Sequence, residues 1–161
     1  GGAGGAGGGG DGAGRLGAFV DLGSGTGKAV LAAALTHTHL FDSFTGTELL
    51  PSLHAMATEA LGRLKAEHGA AAPGLDVDRI ALHEGDLREA DVSAARVIFC
   101  HSTMFASALL DAVKATVARA PPGALVVTTS HPLEGPGLEA VRSLEADMNW
   151  GRGTMYVQRR V

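Results

Sequence analysis

Cysteine is nearly absent from this chain of 161 residues, which contains only Cys100. The sequence therefore offers neither a disulfide framework nor a cluster of zinc-binding thiolates. A reducing, intracellular compartment is the expected environment. Aromatic residues make up only 4% and charged residues 19% of the chain, but the hydrophobic content of 45% is sufficient for the core of one domain.

Positive charge is also scarce, because 13 lysine and arginine residues face 17 acidic ones, for a net charge of −4. Proteins that hold nucleic acid through phosphate contacts need an excess of basic residues, so no direct nucleic-acid site is expected. The apolar runs are far shorter than the ~20 residues that cross a bilayer, so no membrane partner is expected. The histidines lack metal-ligand spacing with acidic partners, so no metal is predicted.

Glycine, by contrast, is abundant and concentrated at the start of the chain. Residues 1–14 consist of glycine, alanine and one aspartate. Such a segment buries little apolar surface, so it is predicted to be a disordered tail. Residues 15–161 are predicted to form one domain.

The most informative segment is Phe19–Gly27, with the sequence Phe-Val-Asp-Leu-Gly-Ser-Gly-Thr-Gly. Its apolar start predicts a buried strand, and its end predicts a loop with glycine at every second position. Residues 29–35 follow as a strong helix-forming stretch. Strand, glycine loop and helix together bring backbone close to a nucleotide-like ligand. A purely structural glycine turn is the alternative.

The glycine spacing distinguishes between ligands. A P-loop would need glycine at Leu22 and a hydroxyl side chain at Ala29, so ATP or GTP hydrolysis is not expected. In a dinucleotide motif the third glycine would come one residue later. The observed G-x-G-x-G, with Asp21 two residues before it, resembles the first motif of class I S-adenosylmethionine methyltransferases.

Strand and helix patterns alternate along the rest of the chain, which predicts a parallel sheet. The fold class is therefore α/β, a doubly wound Rossmann-like sheet that is mostly parallel. Two further strands around a turn at residues 150–153 predict an antiparallel C-terminal hairpin, as in class I methyltransferases. The predicted strands after the first are 43–48, 79–84, 96–100, 124–129, 140–146 and 154–159, and the main helices begin at Pro51 and Ala106.

Ligands bind beyond the carboxyl ends of parallel strands. Each of the first three predicted strands ends in or just before a polar residue that could bind part of such a ligand. Glu48 is placed to accept hydrogen bonds from both ribose hydroxyls. Asp86 is placed to accept one from an adenine amino group, with Leu87 packing on the ring. The predicted cofactor-binding residues are Asp21, Gly23, Ser24, Gly25, Gly27, Glu48, Asp86 and Leu87.

The methyl acceptor is expected at the end of the fourth strand. Methyl transfer needs in-line positioning, desolvation and a deprotonated nucleophile. His101 and Ser102 are predicted to orient an amine, and His101 could alternatively accept its proton or be a structural histidine. Phe105 and Trp150 are predicted to wall an acceptor channel and to contact a cationic amine through their π faces.

A closer resemblance is carried by Gly46–Glu48, Glu84–Asp86, Val97–Phe99 with Ser102 and Phe105, and Trp150 before the last strand. Together with the glycine loop, these segments resemble the Dot1-like methyltransferases of protists and algae. The resemblance implies S-adenosylmethionine as cofactor, a protein substrate such as a histone lysine in the nucleosome, and a nuclear location, or otherwise a cytoplasmic one.

The sequence departs from this family pattern in several places, two of them at predicted site residues. His101 stands where Dot1 enzymes carry asparagine, and Leu87 stands where they carry a stacking aromatic residue. Two alternatives to a protein-lysine methyltransferase are therefore a small-molecule N- or O-methyltransferase and a catalytically silent domain that binds S-adenosylmethionine.

Overall fold

The computed structural model describes residues 14–71, 74–148 and 151–161. The predicted tail, residues 1–14, lies outside the described residues except for Gly14. The strands are β1 Ala18–Leu22, β2 Ser43–Glu48, β3 Ile80–Glu84, β4 Ala95–Cys100, β5 Leu125–Thr129, β6 Leu138–Met148 and β7 Gly151–Arg160. The helices are α1 Lys28–His37, α2 Pro51–Ala71 and α3 Ser107–Val117, with single 3₁₀ turns at Val77–Arg79 and Leu87–Glu89.

The described strands form one seven-stranded sheet in the order β3-β2-β1-β4-β5-β7-β6. Strands β1 to β5 pair in parallel, whereas β7 runs antiparallel to both β5 and β6. The predicted fold class is confirmed: the sheet is mixed, mostly parallel and closed at one side by an antiparallel strand pair.

The C-terminal hairpin is longer than the sequence pattern predicted. Gly151, Arg152 and Gly153 pair with Met148, Asp147 and Ala146, so these three residues belong to β7. The prediction that they form the turn is wrong, because the pairing of β6 with β7 continues beyond the predicted strand ends, as far as Met148 and Gly151. The remaining predicted turn residue, Trp150, lies outside the described residues.

The sheet is covered by helices on both faces because strand side chains alternate between them. On one face α1 and α2 pack over Phe19, Phe41 and Phe44, whose ring centroids lie 5.7–6.4 Å apart. On the other face α3 and the turn at Leu87–Glu89 cover a second core that contains Val20, Ile98, Cys100, Val113 and Val126.

The strand order reverses between β1 and β4, since the chain moves outward through β2 and β3 and then returns. Parallel strands open a crevice at such a reversal, beyond their carboxyl ends. The glycine loop, the ends of β2 and β3 and the loop after β4 all meet there. The fold thus assembles residues that are distant in sequence at one edge of the sheet.

Candidate functional site

A cleft of about 420 Å³ opens at the reversal point of the sheet. Its floor is the glycine loop and the end of β2, and its walls come from the start of α2, the turn after β3 and the loop after β4. The lining residues are Gly23, Gly25, Thr47, Glu48, Leu49, Leu50, Leu53, Asp86, Leu87, Arg88, Phe105 and Leu109.

The glycine loop is fastened to β2 by its backbone. The N–H groups of Gly23 and Ser24 both donate to the carbonyl oxygen of Thr47, at 2.9 and 3.0 Å. Gly25 has a φ of +53°, and a Cβ added there would meet no atom within 4 Å. The loop therefore presents bare backbone to the cleft, which permits a ligand to approach closely.

Glu48 links the glycine loop to the residue that precedes α2 through two hydrogen bonds. Its Oε2 accepts a hydrogen bond of 2.7 Å from the Gly25 N–H, and its Oε1 accepts one of 2.9 Å from the Leu50 N–H. Its side chain is buried, and each carboxylate oxygen retains a further lone pair for a ligand. Glu48 thus holds the glycine loop in place and still has acceptor capacity at the cleft.

Asp21 lies under the glycine loop with only 2% of its surface exposed. Its Oδ1 atom is buried without a hydrogen-bond partner. Burial, and then the negative charge of Glu48, raise the pKa of Asp21 to about 7. A buried acceptor without a donor is unusual in a folded protein, and its position beneath the cleft suits a ligand that brings a cationic N–H group.

The turn after β3 supplies the opposite wall. Asp86 accepts hydrogen bonds from the Arg88 backbone N–H at 2.9 Å and from Arg88 Nη1 at 2.6 Å. The backbone hydrogen bond is the main reason why the pKa of Asp86 lies below its ordinary value. Leu87 is buried in the core beneath α3 but also reaches the cleft, where it forms part of an apolar wall.

The loop after β4 forms the third side of the cleft. Phe105 packs against the core, and its Cζ atom lies 3.3 Å from the position of a Cβ added at Gly23. Ser102 is completely buried, and its hydroxyl donates to the Thr129 carbonyl oxygen at 2.7 Å. His101 is partly buried, and its Nδ1 lies 3.1 Å from the Thr129 hydroxyl. Its burial lowers its pKa.

The structure brings together five of the predicted cofactor residues at the cleft surface: Gly23, Gly25, Glu48, Asp86 and Leu87. Asp21 lies directly beneath them. Ser24 and Gly27 instead face the protein interior, next to Gly46 and Ala57 respectively. Of the predicted acceptor residues, Phe105 lines the cleft, His101 and Ser102 are not among its lining residues, and Trp150 lies outside the described residues.

Several residues of the site were not predicted from the sequence: Gly46 beside the glycine loop, and the cleft residues Thr47, Leu49, Leu50, Leu53, Arg88 and Leu109. Gly46 lies inside β2, where a Cβ would come within 2.8 Å of both Ser24 Cβ and Val30 Cγ2. A glycine within a strand is itself a signal of close backbone approach, so this residue could have been identified. Arg88 gave no comparable signal, because its contact with Asp86 depends on the conformation of the turn.

Within the described ranges, no group of three or more His, Cys, Asp or Glu side chains is placed to hold a metal ion. None of the helices among the described residues is both long and apolar enough to span a membrane.

Comparison with known proteins identifies a family that the sequence matches. The family model described as "Histone methylation protein DOT1" matches residues 14–147. No curated protein sequence is similar enough to this chain to be matched.

Several solved structures with a similar fold are methyltransferases. An RNA methyltransferase from Salinibacter ruber, in complex with S-adenosyl-L-homocysteine, is 25% identical, with a TM-score of 0.67 over 89% of this chain and 80% of that chain. TrmN from Thermus thermophilus is 16% identical, with a TM-score of 0.71 over 91% of this chain and 45% of that chain. The M1A22 tRNA methyltransferase TrmK from B. subtilis is 12% identical, with a TM-score of 0.69 over 91% of this chain and 61% of that chain.

Proposed function

Since the chain belongs to the DOT1 histone methylation family, we propose that it transfers a methyl group from S-adenosylmethionine to a lysine side chain of a protein, with a histone as the favoured substrate. The observation that carries the proposal is the pair of buried carboxyl groups under a bare glycine loop. Asp21 has an oxygen without a donor, and Glu48 has acceptor capacity at the cleft surface.

The residues of the cleft fit the cofactor part by part. The unpartnered Oδ1 of Asp21 suits the cationic amino group of the methionine moiety, because a charged donor would satisfy a buried acceptor. Glu48 suits the ribose hydroxyls, and the apolar wall of Leu87 and Leu49 suits a purine ring. Nothing in this cleft resembles a pyrophosphate cradle, since two carboxyl groups would repel one.

When bound, S-adenosylmethionine supplies a sulfonium methyl group that an amine lone pair can take while the electrons of the carbon–sulfur bond remain on sulfur. The contribution of the chain is to bind, orient and desolvate. Phe105 covers the glycine loop next to the proposed methionine site and so excludes water from that side. An incoming lysine must be neutral to react, so the rate is expected to rise with pH as the bound amine loses its proton.

A direct assay tests the proposed activity. The purified chain is incubated with S-adenosylmethionine carrying a labelled methyl group, in parallel with nucleosomes, free histones, RNA and small-molecule extract. Label on a histone lysine, identified by mass spectrometry, is the expected result. Label only in RNA or only in small molecules would overturn the lysine proposal and leave a methyltransferase with another acceptor. Binding of the cofactor without any transfer would instead favour a silent binding domain.

Replacing Glu48 with alanine tests the cofactor site by itself. Loss of a charged hydrogen-bond partner costs about 1.5–3 kcal/mol, so the affinity for S-adenosylmethionine should fall roughly tenfold to more than a hundredfold. Isothermal titration calorimetry measures this change. Glu84→Ala is the matched control, because Glu84 pairs with Glu48 in the sheet register but is exposed, and its loss should leave the affinity unchanged. Unchanged affinity in Glu48→Ala would contradict the ribose assignment.

A further inference from the structure

A single β-turn after β4 carries Phe105 into the cleft. The Phe105 N–H donates to the Ser102 carbonyl oxygen at 3.0 Å, which closes the turn over residues 102–105. Phe105 lines the cleft, and its Cζ atom lies 3.3 Å from the position of a Cβ added at Gly23. Met104 lies inside the turn and is 91% exposed, so its side chain does not anchor the turn. The position of Phe105 therefore depends on how the first two residues of the turn are held.

These two residues are fastened to the end of β5. The Ser102 hydroxyl is completely buried and donates to the Thr129 carbonyl oxygen at 2.7 Å. Thr103 Oγ1 accepts a hydrogen bond of 3.0 Å from the Ser130 hydroxyl and lies 3.1 Å from Thr129 Oγ1. We call Ser102, Thr103, Thr129 and Ser130 the turn clamp. It joins two segments that are 27 residues apart in the sequence.

One member of the turn clamp has an unusual backbone. Ser130 has a φ of +67°, and among the described residues it is the one non-glycine residue with a positive φ. The His131 N–H donates to the Thr129 carbonyl oxygen at 2.8 Å and so closes a γ-turn around Ser130, in the form that is rare and strained. The Ser130 N–H donates to the Thr154 carbonyl oxygen at 2.8 Å, which helps to hold this conformation. Strained residues of this kind cluster at functional sites.

The strained backbone of Ser130 and the hydrogen bond of its side chain belong to one arrangement. Glycine adopts a positive φ without strain, whereas serine does not, so serine has an advantage here only through its side chain. The Ser130 hydroxyl donates to Thr103, the second residue of the turn, and the γ-turn places it there. The contacts therefore run from the strained residue, through the turn, to Phe105 in the cleft.

We infer that Ser130 is a positioning residue of the cofactor site: its hydroxyl secures the turn at residues 102–105 and so holds Phe105 over the glycine loop. Ser130 does not itself line the cleft, so it acts through Phe105. The inference rests on the proposed function, because the position of Phe105 matters for activity only if the cleft binds S-adenosylmethionine. With the ring in place, water is excluded from the side of the cleft next to Gly23, which strengthens the polar contacts of a bound ligand.

Nuclear magnetic resonance of the empty protein tests the position of Phe105 directly. The Hζ proton of Phe105 should show a nuclear Overhauser effect to an Hα proton of Gly23, because Phe105 Cζ lies close to the position of an added Cβ. Ser130→Ala and Thr103→Val each remove one partner of the clamping hydrogen bond, so this signal should weaken in both. Thr103→Ser keeps the hydroxyl and should retain the signal. Wild-type intensity in both Ser130→Ala and Thr103→Val would overturn the inference.

Two substitutions of Ser130 separate positioning from overall stability. Both Ser130→Gly and Ser130→Ala remove the hydroxyl, but only glycine adopts the positive φ without strain, so Ser130→Gly should melt at the higher temperature. The affinity for S-adenosylhomocysteine, measured by calorimetry, should fall equally in both, roughly two- to tenfold, as expected for the loss of one hydrogen bond. Tighter binding by Ser130→Gly than by Ser130→Ala would show that affinity follows stability, and would overturn the inference.

A double-mutant cycle shows whether Ser130 acts through Phe105. In a Phe105→Ala background, Ser130→Gly should cause no further loss of affinity, because the ring that it positions is already absent. An equal loss in both backgrounds would overturn the inference. Thr154→Val is the matched control, since its hydroxyl donates to Glu145 and not to the turn clamp, and it should leave affinity unchanged. Absence of cofactor binding in the wild type would count against the proposed function, whereas the nuclear Overhauser effect tests the turn clamp without any ligand.

Discussion

Asp21→Asn is expected to stabilise the empty protein at pH 8, by at most about 4 kcal/mol, while it removes most of its affinity for S-adenosylmethionine. The pKa of Asp21 rises from 3.8 to about 7 on folding, and each tenfold change in proton affinity corresponds to about 1.36 kcal/mol. Well below pH 3.8 the carboxyl group is protonated in both states and contributes no difference. As the pH rises toward 7, the unfolded chain ionises first, so the wild type loses stability relative to the uncharged asparagine variant.

Denaturant unfolding at pH 4, 6 and 8 measures this effect. The stability difference between Asp21→Asn and wild type should grow between about pH 4 and pH 7 and then remain constant. Asp78→Asn is the control, since the Asp78 side chain is 88% exposed and its replacement should produce no comparable trend. A variant that is less stable than wild type at pH 8 would show that Asp21 has a donor in the empty protein.

Calorimetry on the same variant completes the argument. The amide of asparagine cannot satisfy a cationic amino group as a carboxylate does, so the affinity for S-adenosylmethionine should fall by more than tenfold. Stability and binding that change in opposite directions indicate a residue retained for function at the expense of the fold. Wild-type affinity in Asp21→Asn would remove the central support for the proposed cofactor site.

Gly46→Ala should be the most damaging of the conservative substitutions at the site. The added methyl carbon would lie 2.8 Å from Ser24 Cβ and Val30 Cγ2 and 2.9 Å from Ser24 Oγ. The first contact is with the glycine loop and the second with the core of α1, and neither can move without disturbing its surroundings. Overpacking of this kind costs about 1–3 kcal/mol. Because the glycine loop must shift, cofactor affinity should fall at least roughly tenfold as well.

Gly62→Ala makes the same chemical change but should have the opposite effect on stability. Gly62 lies within α2, and a Cβ added there would meet no atom within 4 Å. Alanine is the better helix former, so this variant should gain about 0.5–1 kcal/mol and bind the cofactor normally. Thermal unfolding and calorimetry compare the two variants directly. If Gly46→Ala behaved like Gly62→Ala, β2 and the glycine loop would have to be further apart than they are in the structure.

The sequence predicted most of the sheet because β1, β4 and β5 are short runs rich in apolar residues. β2 has the predicted bounds Ser43–Glu48, and β4 and β5 differ from the predicted strands by one residue at their starts. The helix that begins at Pro51 extends to Ala71, and its end was not predicted because residues 65–71 include no large apolar residue that would mark it. Local sequence patterns thus predicted which helices and strands form more accurately than they predicted where each one begins and ends.

The site was harder to predict because its contacts join distant residues. The positions of Glu48 and the glycine loop followed from the rule that parallel strands end at one edge. The hydrogen bonds from the Gly25 and Leu50 N–H groups to Glu48 could not be predicted from the sequence, since they depend on how two loops fold back on each other. The contact between His101 and Thr129 spans 28 residues and involves side chains with no pattern between them. Only the folded chain shows it.

The rate at which a reagent modifies Cys100 should report how often the sheet opens. The thiol is fully buried in the second core, and burial, followed by the charge of Asp21, raises its pKa to about 12. A thiol reagent reacts with the thiolate, so it should modify this single cysteine only when β4 separates from α3. The rate of thiol modification therefore measures how often β4 separates from the core. A bound cofactor that stabilises the closed sheet should lower this rate in proportion to the fraction of protein that is bound.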